Sequence, residues 1–179
     1  MPFRIIPRLD IKGANLVKGI RMEGLRVLGP PKYFASAYAQ AGADELMYID
    51  SVASLYGRNS LLEFVRDTSL AASIPITVGG GLRCEADVYD ALSAGADKVA
   101  INTAAVEDPS LLDRLVARFG SSTIVLSIQS KLEVSGRRTV YTNNGRDNSG
   151  IDVISWALEA VNRGVGEIYI TAVDRDGTG

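Results

Sequence analysis

Four short motifs at the ends of apolar runs carry the groups with which this chain could do chemistry. Asp10 closes the run IIPRLD. A carboxylate at the end of a strand is a candidate acid or base; the same residue could equally cap a loop. Gly79-Gly80-Gly81 closes PITVGG. Consecutive glycines let backbone N–H groups approach an anion with no Cβ in the way, and they also make an ordinary tight turn. Asn102-Thr103 closes KVAIN. Its amide and hydroxyl could donate to phosphate oxygens or cap a helix. Asp176-Gly177 follows EIYITAVD and could cradle a second anion or simply turn the chain. Lys12 and Lys18 flank the stretch after Asp10, where lysines either fold over a phosphorylated ligand or face water.

Composition narrows the chemistry. The chain has 179 residues and no histidine. Histidine triads, histidine metal sites and an imidazole base are therefore excluded. Carboxylates, lysines, amides, hydroxyls and backbone groups remain, with no metal or cofactor expected. The formal net charge is −2, so neither a nucleic-acid partner nor a membrane-surface partner is expected. No apolar run approaches the ~18 residues that span a bilayer. The N-terminus has no secretory pattern, and Cys84 is the one cysteine. A cytoplasmic location is the expectation.

The elements that must position these groups alternate strictly. Strands are predicted over Arg4 to Asp10, Glu45 to Asp50, Pro75 to Gly80, Lys98 to Asn102, Thr123 to Gln129 and Glu167 to Asp174. Most are continuous apolar runs, the pattern of strands covered on both faces. Five stretches of helical periodicity lie between them, several closed by glycine. Asp108-Pro109 reads as an N-cap with proline at the first helical position. The polar stretch Lys131 to Gly150, with Ser135-Gly136 and Asn144-Gly145, reads as a hairpin excursion. The segments AGADELMYID, AGADKVAIN and RGVGEIYIT repeat one plan of helix end, glycine and strand, as expected of a reused unit. The fold class is α/β, a parallel (β/α)8 TIM barrel in one domain over residues 1–179. A complete barrel takes roughly 250 residues, so this chain is expected to be truncated after strand six. A doubly wound sheet is disfavoured because no GxGxxG follows the first strand.

In such a barrel ligands bind at the C-terminal strand ends. Asp10, Asp50, Gly80, Gly81, Asn102, Thr103, Gln129, Asp176 and Gly177 all fall there. Arg4, Glu45, Lys98 and Glu167 fall at the opposite ends. Two charges of each sign could form an ion-pair ring around one opening, or be unrelated surface charge.

With these motifs in view, the chain resembles the cyclase subunit of imidazole glycerol phosphate synthase, the HisF family. The likeness rests on LDIKGANLVKG, GADELMYID, ITVGGGL, GADKVAINTAAVEDPSLL, GEIYIT and DRDGTG and covers nearly the whole chain. It implies a (β/α)8 barrel, a substrate with a phosphate at each end, and a glutaminase (HisH-like) subunit on the N-terminal barrel face that delivers ammonia through the interior. By resemblance Asp10 is the first catalytic aspartate and Lys18 belongs to a mobile first loop. Gly81, Asn102 and Thr103 match one phosphate site, and Asp176 and Gly177 touch the other. Arg4, Glu45, Lys98 and Glu167 match the ammonia gate.

One position departs from the family. Gln129 stands where the family carries its second catalytic aspartate. Glutamine hydrogen-bonds but does not titrate near neutral pH, so imidazole formation at that step is expected to suffer. IRMEGLRVLG and SVASLYGRN are similar to a paralogous branch that uses tunnelled ammonia to build an amidine on a surface-polysaccharide sugar. An inactive scaffold that activates the glutaminase is the third expectation. An isomerase of the same barrel lineage is disfavoured by the four gate charges.

Overall fold

A computed structural model describes residues 3–53, 62–71 and 73–178. One ten-stranded sheet runs through them. In chain order its elements are β1 (Arg8–Lys12), β2 (Asn15–Ile20), β3 (Glu23–Gly29), α1 (Pro31–Gln40), β4 (Leu46–Asp50), α2 (Leu62–Ala71), β5 (Ile76–Gly79) and α3 (Glu85–Ser93). There follow β6 (Lys98–Ile101), α4 (Thr103–Glu107), α5 (Ser110–Phe119), β7 (Ile124–Leu132), β8 (Arg138–Thr142), β9 (Asp147–Asp152), α6 (Val153–Asn162) and β10 (Glu167–Ala172).

Strands β1, β4, β5, β6, β7 and β10 pair in parallel in that order. These are the six strands anticipated from the apolar runs. Two antiparallel ribbons are added. The hairpin β8–β9 extends from β7, inside the polar stretch read as an excursion but reaching on to Asp152. The hairpin β2–β3 extends from β1 and is a correction: the stretch after Asp10 was expected to be a loop. Its apolar residues are interrupted by Lys18, Gly19, Gly24 and Arg26, so its pairing was not visible as a strand pattern. The first parallel strand is also displaced. It starts at Arg8 and not at Arg4, which lies ahead of it. Asp108 caps α5 from one residue further out than expected, accepting from Ser110 N–H at 3.1 Å, with Pro109 itself at the cap position. Among the described residues β1 and β10 do not pair with each other.

Two apolar clusters lie between the sheet and its helices. One joins Leu111, Leu112 and Leu115 of α5 and Trp156 of α6 to Val99, Ile124 and Leu126. The other joins Leu9, Tyr48, Val65, Ile76 and Val78. On the other face of the sheet Met47, Ile49, Ala100 and Val125 pack with Ile6 and Tyr169. With both faces covered, the strands carry apolar residues in both alternations, which is why they read as unbroken runs.

The internal repeat has a structural cause. Asp44 accepts from Ile5 N–H at 2.7 Å and donates its own N–H to Ile5 C=O at 2.9 Å. Asp97 does the same to Ile76, at 2.8 Å in both directions. Each aspartate ties the mouth of its strand to the preceding one. In the third copy Gly166 takes the place of the aspartate and donates to Ser121 C=O at 3.1 Å, where an added Cβ would meet that oxygen at 2.4 Å.

Candidate functional site

The C-terminal strand ends form a cavity of about 240 Å³. Asp50, Gly80, Gly81, Asn102, Thr103 and Gln129, all singled out from the sequence, line it together. Gly80 has φ +94°, and a Cβ there would meet Asp50 C=O at 2.3 Å. Only glycine fits so close to the neighbouring strand end. Asp50 Oδ1 accepts from Val52 N–H at 2.9 Å and Ala53 N–H at 2.8 Å, which bends the chain away from β4.

Asn102 stands at the N-cap of the short helix that follows, but its side chain makes no capping hydrogen bond. Its Nδ2 donates to Tyr141 C=O at 3.4 Å, and its Oδ1 is buried without a hydrogen-bond partner among the described residues. Thr103 Oγ1 accepts from Asn143 N–H at 3.1 Å. The β8–β9 hairpin thus closes over the Asn102 end of the cavity, and Asn143 and Asn144 join its lining. Gln129 is 8% exposed, and its Oε1 too has no partner among the described residues. Leaving a buried acceptor unmade costs about 1–3 kcal/mol, so a donor-bearing ligand would gain by filling it.

Asp10 lies outside this cavity, in an adjoining crevice lined by Arg8, Gly19, Asn144 and Asp176. Both its oxygens are engaged. Arg8 Nε donates to Oδ1 at 2.6 Å, and Lys18 Nζ reaches Oδ2 at 3.4 Å. Lys18, on β2, also pairs with both oxygens of Asp176, at 2.9 and 3.0 Å. The hairpin therefore lies on the segment after β10: Arg21 N–H donates to Asp176 C=O at 2.7 Å, and a Cβ on Gly177 would meet Gly19 C=O at 2.3 Å. In this arrangement Asp176 and Gly177 face the hairpin and not the main cavity.

Sequence reasoning passed over Arg8, Ser127, Asn143 and Asn144. Arg8 was accessible in principle, since it stands two residues before Asp10 and strand period places i and i+2 on one face. Asn143 and Asn144 owe their positions to the hairpin turn, which no local signal aims at the cavity.

At the opposite strand ends Arg4, Glu45, Lys98 and Glu167 come together. Arg4 bridges Glu45 at 3.2 Å and Glu167 at 3.0 Å; Lys98 bridges the same two at 3.0 and 2.8 Å. Glu45 is 3% exposed and also accepts from Thr77 Oγ1 at 2.6 Å. Burial opposes charge on Lys98, but its hydrogen bonds to Glu167 and Glu45 prevail and raise its pKa. Burial likewise opposes charge on Glu167, and Lys98 and Arg4 hold its pKa below the usual carboxylate value. A depressed carboxylate stabilises the fold above its unfolded pKa, and that contribution disappears as pH falls through the folded value. Glu167→Gln is therefore expected to flatten the loss of stability below about pH 4.5, the ordinary value for this group. Urea denaturation at a series of acidic pH values checks this. Equal acid slopes for variant and wild type would refute it.

An α/β protein with a mostly parallel sheet, an amide-rich cavity at the strand C-termini and a closed ion-pair ring at the N-termini defines the class. The chain belongs to the family of histidine biosynthesis proteins, which matches residues 4–179. It is 54% identical over 175 residues to the imidazole glycerol phosphate synthase subunit HisF of Legionella pneumophila, covering 98% of this chain and 82% of that relative.

Proposed function

We propose that this chain is a HisF-type cyclase subunit of imidazole glycerol phosphate synthase, acting in histidine biosynthesis in the cytoplasm. The observation that carries the reading is the pairing of two sites on one set of strands: a polar cavity at one end and a four-charge ring at the other. The HisF name of a relative 54% identical supports it. A glutaminase subunit docks over the ring at the N-terminal strand ends. Ammonia passes between the ring charges and along the face lined by Met47, Ala100 and Val125. It reaches a substrate phosphorylated at both ends, held at one end by the Gly80–Gly81 turn, Asn102 and Thr103. Ammonia adds to a carbonyl carbon of the substrate as the C=O pair shifts to oxygen, which leaves as water; Asp10 takes the proton that the nitrogen sheds, and ring closure releases imidazole glycerol phosphate and an aminoimidazole carboxamide ribotide.

The finer architecture is an eight-unit (β/α) barrel of which this chain supplies six in one domain. Exposed apolar side chains support this. Ile154, Leu158 and Val161 form one stripe on α6, and Ile170 is exposed on β10; further strand–helix units would cover them. No described helix is long and apolar enough to cross a membrane.

Gln129 favours a second reading, in which the same ammonia builds an amidine on a surface-polysaccharide sugar. One experiment separates the two. Incubation with ammonium salt and the doubly phosphorylated ribotide should yield imidazole glycerol phosphate, and added glutaminase subunit should let glutamine replace the salt. Tight binding of the ribotide with no product would remove the first reading and leave the second.

A further inference from the structure

Arg8 makes the shortest contact to Asp10 and has no part in the function just described. It stands on the same face of β1 as Asp10, two residues toward the ring. Its side chain is 12% exposed. The guanidinium donates in two directions: through Nε to Asp10 Oδ1 at 2.6 Å, and through one terminal nitrogen to Tyr169 Oη and Thr171 Oγ1, both at 3.1 Å. It also lies 5.9 Å from the Tyr169 ring centroid, and Tyr169 packs against the Met47–Val125 cluster.

Burying a guanidinium is costly unless it is paired and its N–H groups are satisfied. Desolvation works against the charge here, and Asp10 and Tyr169 outweigh it, so Arg8 stays cationic with a pKa above its ordinary value. Its planar fork fixes both a direction and a distance for the carboxylate, which lysine's mobile ammonium does not. Lys18, the other cation on Asp10, is 40% exposed, sits at 3.4 Å and is shared with Asp176. Arg8 is the shorter and more buried contact. Its anchors lie on β10, so it also carries the position of that strand to Asp10 across strands that do not pair.

We infer that Arg8 is the positioning residue of Asp10: by holding Oδ1 against β10 it presents Oδ2, contacted at 3.4 Å by the 40% exposed Lys18, as the oxygen that meets the reacting proton. The inference rests on the cyclase reading for its kinetic test.

A double-mutant cycle on the full chain, with the doubly phosphorylated ribotide and ammonium salt, tests this. Arg8→Met should lower kcat by about 100-fold, the low end for a displaced acid–base group, with KM for the ribotide changed less than about threefold. In an Asp10→Asn background the same change should cost less than about threefold, because a residue acting through Asp10 has nothing left to position. Arg8→Lys should recover only part of kcat. Equal losses from Arg8→Met in both backgrounds would mean a purely structural role and overturn the proposal. The side-chain Nε–H resonance of Arg8 in 15N-labelled protein gives a readout that needs no turnover. It should be protected from exchange in wild type and lose that protection in Asp10→Asn. If wild type makes no product, the cyclase reading fails and this resonance decides alone: protection unchanged by Asp10→Asn overturns the pairing.

Discussion

Asp10→Asn lowers ammonium-dependent formation of imidazole glycerol phosphate by about 100- to 10,000-fold, the range for loss of a positioned acid–base group. The two side chains have nearly the same shape, so the loss is chemical. An amide cannot accept the proton shed by the attacking nitrogen. It also presents neutral groups to two cations, Arg8 at 2.6 Å and Lys18 at 3.4 Å. The more buried of these, Arg8, then has no counter-charge within its network, and breaking a buried pair costs about 3–5 kcal/mol. A fall in thermal midpoint accompanies the loss of rate. Binding of the ribotide should change little, because Asp10 does not line the main cavity. The checks are initial rates at saturating ammonium, isothermal titration with the ribotide, and a melting curve. Turnover within tenfold of wild type would remove Asp10 from the chemistry.

Gln129→Asp raises the same rate by about 100-fold. Gln129 lies in β7 and lines the cavity with its Oε1 unpartnered among the described residues. Aspartate there would be a second titratable group at the C-terminal strand ends, in a separate pocket from Asp10. Cyclisation that moves protons at two places then has a group for each. The shorter side chain leaves room for a water beside it. Stability should fall slightly, since a carboxylate at a site 8% exposed is desolvated. Product formation under single-turnover conditions measures the effect. A rate unchanged or lowered would show that the amide is itself the working group, and would favour the amidine-forming reading.

Much of this was legible before any coordinates. The parallel strands announced themselves because burial on both faces leaves continuous apolar runs. The glycine turn, Asn102, Thr103 and Gln129 were placed correctly at one rim, since a parallel sheet sends every C-terminal strand end to the same side. The hairpin β2–β3 was missed. Its Leu16 and Val17 are buried, but Ile20, Val27 and Leu28 are exposed, so its apolar residues follow no regular alternation that marks a strand. Part of the stretch SVASLYGRN, residues 54–59, lies outside the described residues, and its likeness to the paralogous branch gains no structural support.

The sequence by itself determined the succession of the six parallel strands, the end of each on which chemistry could sit, and the charges available at the other end. These follow from local pattern and chain direction alone. Tertiary structure decided which of those groups touch. Lys18 meets Asp176 across 158 positions, and Arg8 meets Thr171 across 163. Contacts at such separation depend on how the sheet curves and where a hairpin folds back, and neither is written in any short window of residues. Hence Asp10 emerged from the sequence as a lone carboxylate and from the fold as one held by two cations.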